Sequence, residues 1–248
     1  MLEETLRRDR IVTAAGLAVL AALAWAYVTA AAAPSGHPGM TMAMPGLAWL
    51  VGMWVVMMVA MMLPSAAPTI LLFSTVSSRR RQQGVPAVPA AVFTAGYLLV
   101  WSLYAVLAAG VQWELHRHLL LSPAMASASP ALTGGLLVAA GLYQWLPMKR
   151  TCLSYCRSPL GFFSSEWRDG VDGALWMGMR HGTICLGCCW LLMALLFVAG
   201  VMNLLWVAGI AAFVLVEKLV PPGRLVSGSA GVILLAWGAW VLLTGLMR

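Results

Sequence analysis

Long apolar runs make up most of this chain, and short loops that carry its basic residues separate them. A helix needs about 20 apolar residues to cross the hydrocarbon core of a bilayer. Stretches of this kind occupy residues 11–33, 47–73, 87–111, 131–147, 174–201, 203–219 and 229–247. Only 9% of the residues are charged, whereas soluble domains carry about 25%. The sequence therefore predicts an all-α, polytopic helical membrane bundle with seven transmembrane helices. The bundle forms a single domain over residues 1–248, and we expect no nucleic-acid partner.

The positions of the basic residues predict the orientation of these spans. Cytoplasmic loops of membrane proteins are enriched in Lys and Arg. With the N-terminus inside, only Arg117 and Arg248 lie on the outer side, whereas twelve basic residues lie on the inner side. Those twelve are Arg7, Arg8, Arg10, Arg79, Arg80, Arg81, Lys149, Arg150, Arg157, Arg168, Lys218 and Arg224. We expect the N-terminus inside and the C-terminus outside. The first apolar run is longer than the core of a secretory signal, so we also expect a retained helix there.

The loop between the first two spans carries an unusual set of sulfur and imidazole groups. Its potential metal ligands are His37, Met40, Met42 and Met44. Thioethers and an imidazole suit a soft cation such as Cu(I). The alternative is an ordinary loop in which these side chains bind nothing. With the N-terminus inside, this loop lies on the outer side, where it would capture the metal.

The second span carries a second set of methionines at helical spacing. Met53, Met57 and Met61 lie at positions i, i+4 and i+8, which places them on one helix face about 6 Å apart along the axis. We call these three residues the Met ladder. The ladder would offer a soft cation successive weak sites, although methionine also commonly fills gaps in apolar cores. Pro64 and Pro68 should disrupt the helical hydrogen bonds just beyond it.

All five cysteines fall in two groups on the expected inner side. Cys152 and Cys156 follow the fourth span, and Cys185, Cys188 and Cys189 open the fifth. Along the fifth span, steps of four residues give a row of potential soft-metal ligands. That row is Met177, His181, Cys185, Cys189 and Met193. Residues 148–172 should fold back as a loop that brings the first cysteine pair towards the second group and His181.

Several roles fit these cysteines. They could be small packing residues, but stable disulfides are disfavoured in a reducing compartment. As ligands, the thiolates and His181 would complete a tetrahedral zinc site or a Cu(I) site of lower coordination number. Alternatively, Cys185 and Cys188 form a C-x-x-C pair beside His181, which is typical of thiol redox chemistry. We favour metal binding by all six residues, with copper(I) preferred and zinc as the second choice.

Other polar residues near the span ends have more ordinary explanations. Glu217 and Lys218 are adjacent at the end of the sixth span and should form an interfacial ion pair. Gln144 and Asn203 are typical of residues that join helices in membranes. No two acidic residues share an apolar span, so the pattern does not favour a hydrolase.

Over residues 45–245 the sequence resembles a bacterial family of uncharacterised integral membrane proteins that are predicted to bind metal. The matching motifs are Met53-Trp54, Met57-Met58, Ala60-Met61-Met62-Leu63-Pro64-Ser65, Gly141-Leu142-Tyr143-Gln144, Lys149, Cys152-Leu153, Cys156, Arg180-His181-Gly182, Cys185, Gly187-Cys188-Cys189-Trp190, Met193, Gly200, Met202-Asn203-Leu204, Trp206 and Glu217-Lys218. The resemblance implies a metal and a multi-pass location in the bacterial inner membrane. It fixes neither which metal is bound nor a reaction.

These patterns lead to one favoured function and two alternatives. The favoured function is copper handling: the outer loop captures the ion, the Met ladder passes it inward, and the inner cysteines with His181 receive it. Its partners would be the lipid bilayer, the metal ion, and a metallochaperone or another membrane subunit. The alternatives are a membrane thiol-disulfide oxidoreductase that uses Cys185 and Cys188, and an assembly subunit with a structural zinc site. An enzyme is the less favoured class, and the sequence lacks a P-loop motif for ATP.

Overall fold

The computed structural model describes residues 2–32, 46–118, 120–121, 127, 129–220 and 223–247. The outer loop with His37, Met40, Met42 and Met44 lies outside the described residues, so its role in metal capture stays a prediction. Within the described part of the chain, the regular elements are all helices, which confirms the all-α class.

Ten helices follow one another along the described chain. They are α1 (Leu2–Ala32), α2 (Leu47–Gln82), α3 (Ala90–Arg117), α4 (Pro130–Tyr143), α5 (Pro147–Arg157), α6 (Pro159–Glu166), α7 (Gly170–Ala194), α8 (Leu196–Ala199), α9 (Leu204–Leu219) and α10 (Gly223–Leu246). Each of the seven predicted spans coincides with at least one of these helices. The helices of the second and third spans continue beyond the predicted ends, to Gln82 and Arg117.

Five segments are long and apolar enough to cross a membrane, judged by length and composition alone. They are Leu6–Ala32, Leu47–Gln82, Ala90–Arg117, Gly170–Ala199 and Leu225–Gly245. The two remaining predicted spans correspond to α4 and α9, with 14 and 16 residues. At a rise of about 1.5 Å per residue these helices are shorter than the roughly 30 Å hydrocarbon core. The number of seven spans and their orientation therefore stay predictions.

The segment predicted as a loop at residues 148–172 is largely helical. Helix α4 ends at Tyr143, before the predicted boundary, and α5 and α6 follow it. Pro147 and Pro159 begin these two short helices. Proline is favoured in the first turn because the N–H group that it lacks has no partner there. The loop prediction was wrong because each proline starts a helix here rather than only ending one.

Helix α2 continues through Pro64 and Pro68 to Gln82. Each proline lacks an N–H group and so removes one helical hydrogen bond. Beside these positions, the Met62 carbonyl oxygen accepts from the Ser65 hydroxyl at 2.8 Å and from the Tyr97 hydroxyl of α3 at 3.2 Å. These side-chain bonds hold the backbone between Ala60 and Pro64, the two residues whose carbonyl groups lose their helical partner to the prolines.

Glycines allow α3 and α7 to pack closely. A Cβ atom at Gly178 would clash with the Phe93 carbonyl group, and a Cβ atom at Gly96 would clash with the Leu175 carbonyl oxygen. Small residues at such crossings let helix backbones approach each other in membrane proteins. This close crossing sets α7, which carries three of the cysteines, against α3 and its buried Tyr97.

Candidate metal centre

Three cysteines of α7 form a compact sulfur group, which we call the thiol cluster: Cys185, Cys188 and Cys189. Their positions i, i+3 and i+4 place them on one side of the helix, and their sulfur atoms all lie within 4.8 Å of one another. Sulfur atoms bound to one ion at about 2.3 Å can be at most about 4.6 Å apart. The cluster could therefore hold a metal ion after only small side-chain adjustments.

The thiol cluster is buried, and two of its thiols donate hydrogen bonds within α7. The Cys188 and Cys189 thiols both donate to the Cys185 carbonyl oxygen, at 3.0 and 3.1 Å. All five cysteines of the chain are free. The Cys188 and Cys189 thiols therefore find a hydrogen-bond acceptor within their own helix.

Helix α2 contributes a fourth sulfur atom. The Sδ atom of Met62 lies 4.0 Å from the Sγ atom of Cys189, and Met62 is completely buried. Helical spacing pointed to the Met ladder on α2 and not to Met62. The position of Met62 in the methionine-rich segment was the indication available from the sequence. Only the packing of α2 on α7 shows that this methionine faces the cysteines.

Helix α5 brings the first cysteine pair to the cluster. The Cys156 thiol is buried, and its interaction with the Cys185 and Cys188 thiols together with burial raises the pKa of Cys156 well above its ordinary value. This interaction agrees with the predicted approach of the two cysteine groups, and a ligand role for Cys156 stays a prediction. Cys152 is only half-buried. Burial raises the pKa of the Cys152 thiol, and the charge of Arg180 partly offsets this.

His181 lies one turn before Cys185 but sits in an aromatic surrounding. Its ring centroid is 5.4 Å from that of Phe162, 5.8 Å from that of Tyr97 and 6.0 Å from that of Phe93. Its Nδ1 atom is buried without a hydrogen-bond partner among the described residues. The structure does not place His181 in the compact group of three cysteines, so a ligand role for it stays a prediction.

Lys218 of α9 is the most informative residue that sequence reasoning missed. Its Nζ atom donates to the Sγ atom of Cys185 at 3.0 Å and to the Ser65 hydroxyl at 2.8 Å. The Tyr97 hydroxyl also lies 3.2 Å from the same sulfur atom. A buried ammonium group at this position offsets negative charge on thiolate ligands, because Coulomb interactions are strong where water is excluded.

The expected interfacial ion pair between Glu217 and Lys218 is wrong. Both side chains are buried, and Glu217 instead pairs with Lys149 of α5, whose Nζ atom lies 2.8 Å from Oε1 and 2.9 Å from Oε2. The Ser227 hydroxyl donates to the same carboxylate at 2.6 Å. Lys149 also donates to the Gln144 side-chain oxygen. This polar group joins α5 to α9 and α10, and so holds the helix that carries Cys152 and Cys156.

The remaining predicted ligands are buried methionines outside the compact group of three cysteines. They are Met53, Met57, Met61, Met177 and Met193. The backbone N–H group of Arg168 donates to the Met177 sulfur at 3.4 Å, at the far end of α7 from the cluster. Such burial fits packing as well as ion passage, so their role in metal binding stays a prediction.

A cleft of about 970 Å³ lies away from the cysteines, between α1, α2 and α3. Its walls include Arg8, Asp9, Arg81, Thr94 and Leu98, and no cysteine or methionine lines it. Among the described residues, this open cleft is therefore separate from the buried cysteines and methionines.

The fold and the site together define an all-helical protein with apolar candidate spans and a buried cysteine cluster that could hold a metal ion. Residues 51–241 match the copper chaperone family PpoB2, and the chain belongs to this family. This agrees with the metal-related family expected from the sequence motifs. No curated protein and no solved structure matches the chain significantly.

Proposed function

We propose that this protein is a membrane-embedded copper chaperone that binds Cu(I) at the thiol cluster and passes it to another molecule. The observation that supports this most directly is the group of three buried cysteine sulfurs within 4.8 Å of one another. Cu(I) is a soft ion that favours thiolate and thioether ligands. Cys156 and Met62 lie against the same group and would serve as additional ligands.

The Met ladder and the outer loop would supply the ion in this proposal. The ladder lies on α2, the helix that also carries Met62. The ion would move from thioether sites to thiolate sites, and the stronger thiolate ligands would make inward movement favourable. Lys218 would balance part of the negative charge of the loaded cluster, since its ammonium group already contacts Cys185.

The proposed route requires a bacterial inner-membrane location with the N-terminus inside. We expect a reporter that works only in the cytoplasm to be active when it is fused after Arg81. A reporter that works only outside the membrane should be active when it is fused after Met44. The reason is the excess of basic residues in the loops that we assign to the inside. The reverse pattern of reporter activity would contradict this orientation and the direction of the route.

Anaerobic metal titration of the purified full chain in detergent tests the proposed function. We expect about one Cu(I) per chain to be retained against a chelator such as bicinchoninate, because a buried trithiolate site favours this ion. Elemental analysis would show copper rather than zinc. Stable zinc at the same ratio would instead support a structural site. No metal, with a reversible loss of thiols in pairs, would support the oxidoreductase alternative.

A further inference from the structure

We propose that Cys152 is the transfer thiol of this protein, through which Cu(I) passes between an external Cu(I)–thiolate complex and the buried thiol cluster. The proposal rests on the proposed function and adds the place where the ion is exchanged, together with the chemistry of the partner. Two independent features of the structure support it: the difference in burial among the five cysteines, and the contact between Cys152 and α7.

Burial separates Cys152 from the other four cysteines. The cysteines of the thiol cluster are at most 1% exposed, and Cys156 is also buried. Cys152 alone is half-buried. An external ligand must reach a thiol before it can exchange a metal with it, because the rate of exchange at sulfur depends on access. Cys152 is therefore the cysteine that a partner can reach without opening the bundle.

The Cys152 side chain lies directly on the helix that carries the cluster. A Cβ atom added at Gly187 would be only 2.8 Å from the Sγ atom of Cys152. The absence of a side chain at Gly187 lets the thiol rest on the α7 backbone, about 100° around the helix from the neighbouring Cys188. Cys156 lies one turn further along α5, and the Cys185 and Cys188 thiols act on its pKa. Helix α5 thus places one half-buried and one buried thiol on the side of the bundle where α5 packs on α7.

The charge near Cys152 suits an anionic partner complex. The side chain of Arg180 is 47% exposed, and its charge acts on the Cys152 thiol. Glu166 forms a long ion pair with Arg180, at 3.9 Å, and the guanidinium group stays partly exposed beside it. Complexes of Cu(I) with two or more thiolates are negatively charged, so this partly exposed guanidinium group would attract them. The partner is a Cu(I)–thiolate complex of a small thiol or of a protein.

Each step of the transfer is a ligand exchange without oxidation or reduction. The sulfur of Cys152 forms a bond to Cu(I) while one bond from Cu(I) to the donor thiolate breaks. The proton of the Cys152 thiol passes to the departing thiolate. Cys188 or Cys156 then displaces Cys152 in the same way, and Cys152 recovers a proton. Cu(I) keeps its oxidation state throughout, and the reverse sequence releases it.

The rate of copper transfer to the full chain in detergent tests this proposal, with the Cu(I)–glutathione complex as the donor. We expect Cys152→Ala to slow anaerobic transfer by at least about tenfold, which corresponds to about 1.4 kcal/mol of barrier. The equilibrium affinity measured with bicinchoninate should change by less than about threefold, because the buried ligands remain. Ser154→Ala, two residues away on an exposed part of α5, is the matched control and should leave the rate unchanged.

Gly187→Ala provides a second, independent test of the position of the Cys152 thiol. Its new Cβ atom would push the Cys152 thiol away from α7, so transfer should slow in the parent. The same change should have no further effect in the Cys152→Ala background, where only a Cβ atom at 3.6 Å remains; this is a double-mutant cycle.

Unchanged transfer in Cys152→Ala overturns the proposal while leaving the cluster as the binding site. Equal loss of affinity and rate makes Cys152 a permanent ligand. A parent that binds no Cu(I) contradicts the proposed function itself.

Discussion

Replacing Cys185 and Cys188 together by serine should abolish tight retention of Cu(I), lowering the affinity by several orders of magnitude. A hydroxyl group is a hard, neutral donor and a poor substitute for a thiolate towards a soft ion. The two changes leave Cys189, Cys156 and Met62, which do not form a compact set of three thiolates. The affinity is measured by anaerobic competition with bicinchoninate, and helix content and thermal unfolding are measured alongside to confirm folding.

The matched control is Met57→Leu with Met61→Leu on the Met ladder. Leucine keeps the volume and apolarity of methionine, and such swaps usually cost less than about 1.5 kcal/mol. Both residues are buried, and neither belongs to the ligands proposed for the cluster. We expect this variant to retain Cu(I) as tightly as the parent and to take it up more slowly. Tight retention by the double-serine variant would refute the cluster as the site, whereas equal uptake by the leucine variant would remove only the ladder.

Most of the helical architecture could be predicted because it follows from the apolar runs. The runs predicted α1, α2, α3, α7 and α10, since an apolar segment of sufficient length forms a helix wherever backbone groups must bond internally. The short helices α5 and α6 could not be predicted in this way. They lack a long apolar run, and their prolines are usually taken as helix ends. Their position depends instead on tertiary contacts such as the pair between Lys149 and Glu217.

The cysteine pattern predicted the centre of the site but not its polar partners. The i, i+3 and i+4 spacing of Cys185, Cys188 and Cys189 dictates that their side chains lie together on one helix side. By contrast, Glu217 and Lys218 are neighbours in sequence, and successive helical residues point about 100° apart. Each therefore meets a different helix, and the simple ion pair does not form. A lysine within an apolar helix is costly unless it has a partner, and this was the available signal for Lys218.

The sequence also placed His181 among the ligands, and spacing alone could not test this. Positions i and i+4 share a helix face, so His181 and Cys185 were expected to bind together. The ring packs among Phe93, Tyr97 and Phe162, and its role as a ligand stays a prediction. Those aromatic residues come from α3 and α6, and their approach to α7 depends on long-range packing that helical periodicity does not report.

Breaking the buried ion pair between Lys149 and Glu217 should destabilise the protein strongly. Each side chain is only 1% exposed, and removing one partner leaves an uncompensated buried charge. Such changes cost about 3–5 kcal/mol, so Lys149→Met and Glu217→Gln should each lower the free energy of unfolding by about this amount. The free energy is measured by unfolding in mixed micelles with increasing amounts of SDS. The double variant should recover much of the loss, because neither charge is then left unpaired.

The exposed pair of Arg117 and Glu114, with 3.3 Å between Nη1 and Oε1, supplies the control for this experiment. Both side chains are more than half exposed, so Arg117→Gln should cost less than about 1 kcal/mol. If Lys149→Met were as mild as this control, the buried pair would not hold α5 in place. If the double variant lost as much as the sum of the single variants, the two charges would act independently. A large coupling free energy between Lys149 and Glu217 would instead show that the buried ion pair, and not apolar packing alone, holds the helix that bears Cys152 and Cys156.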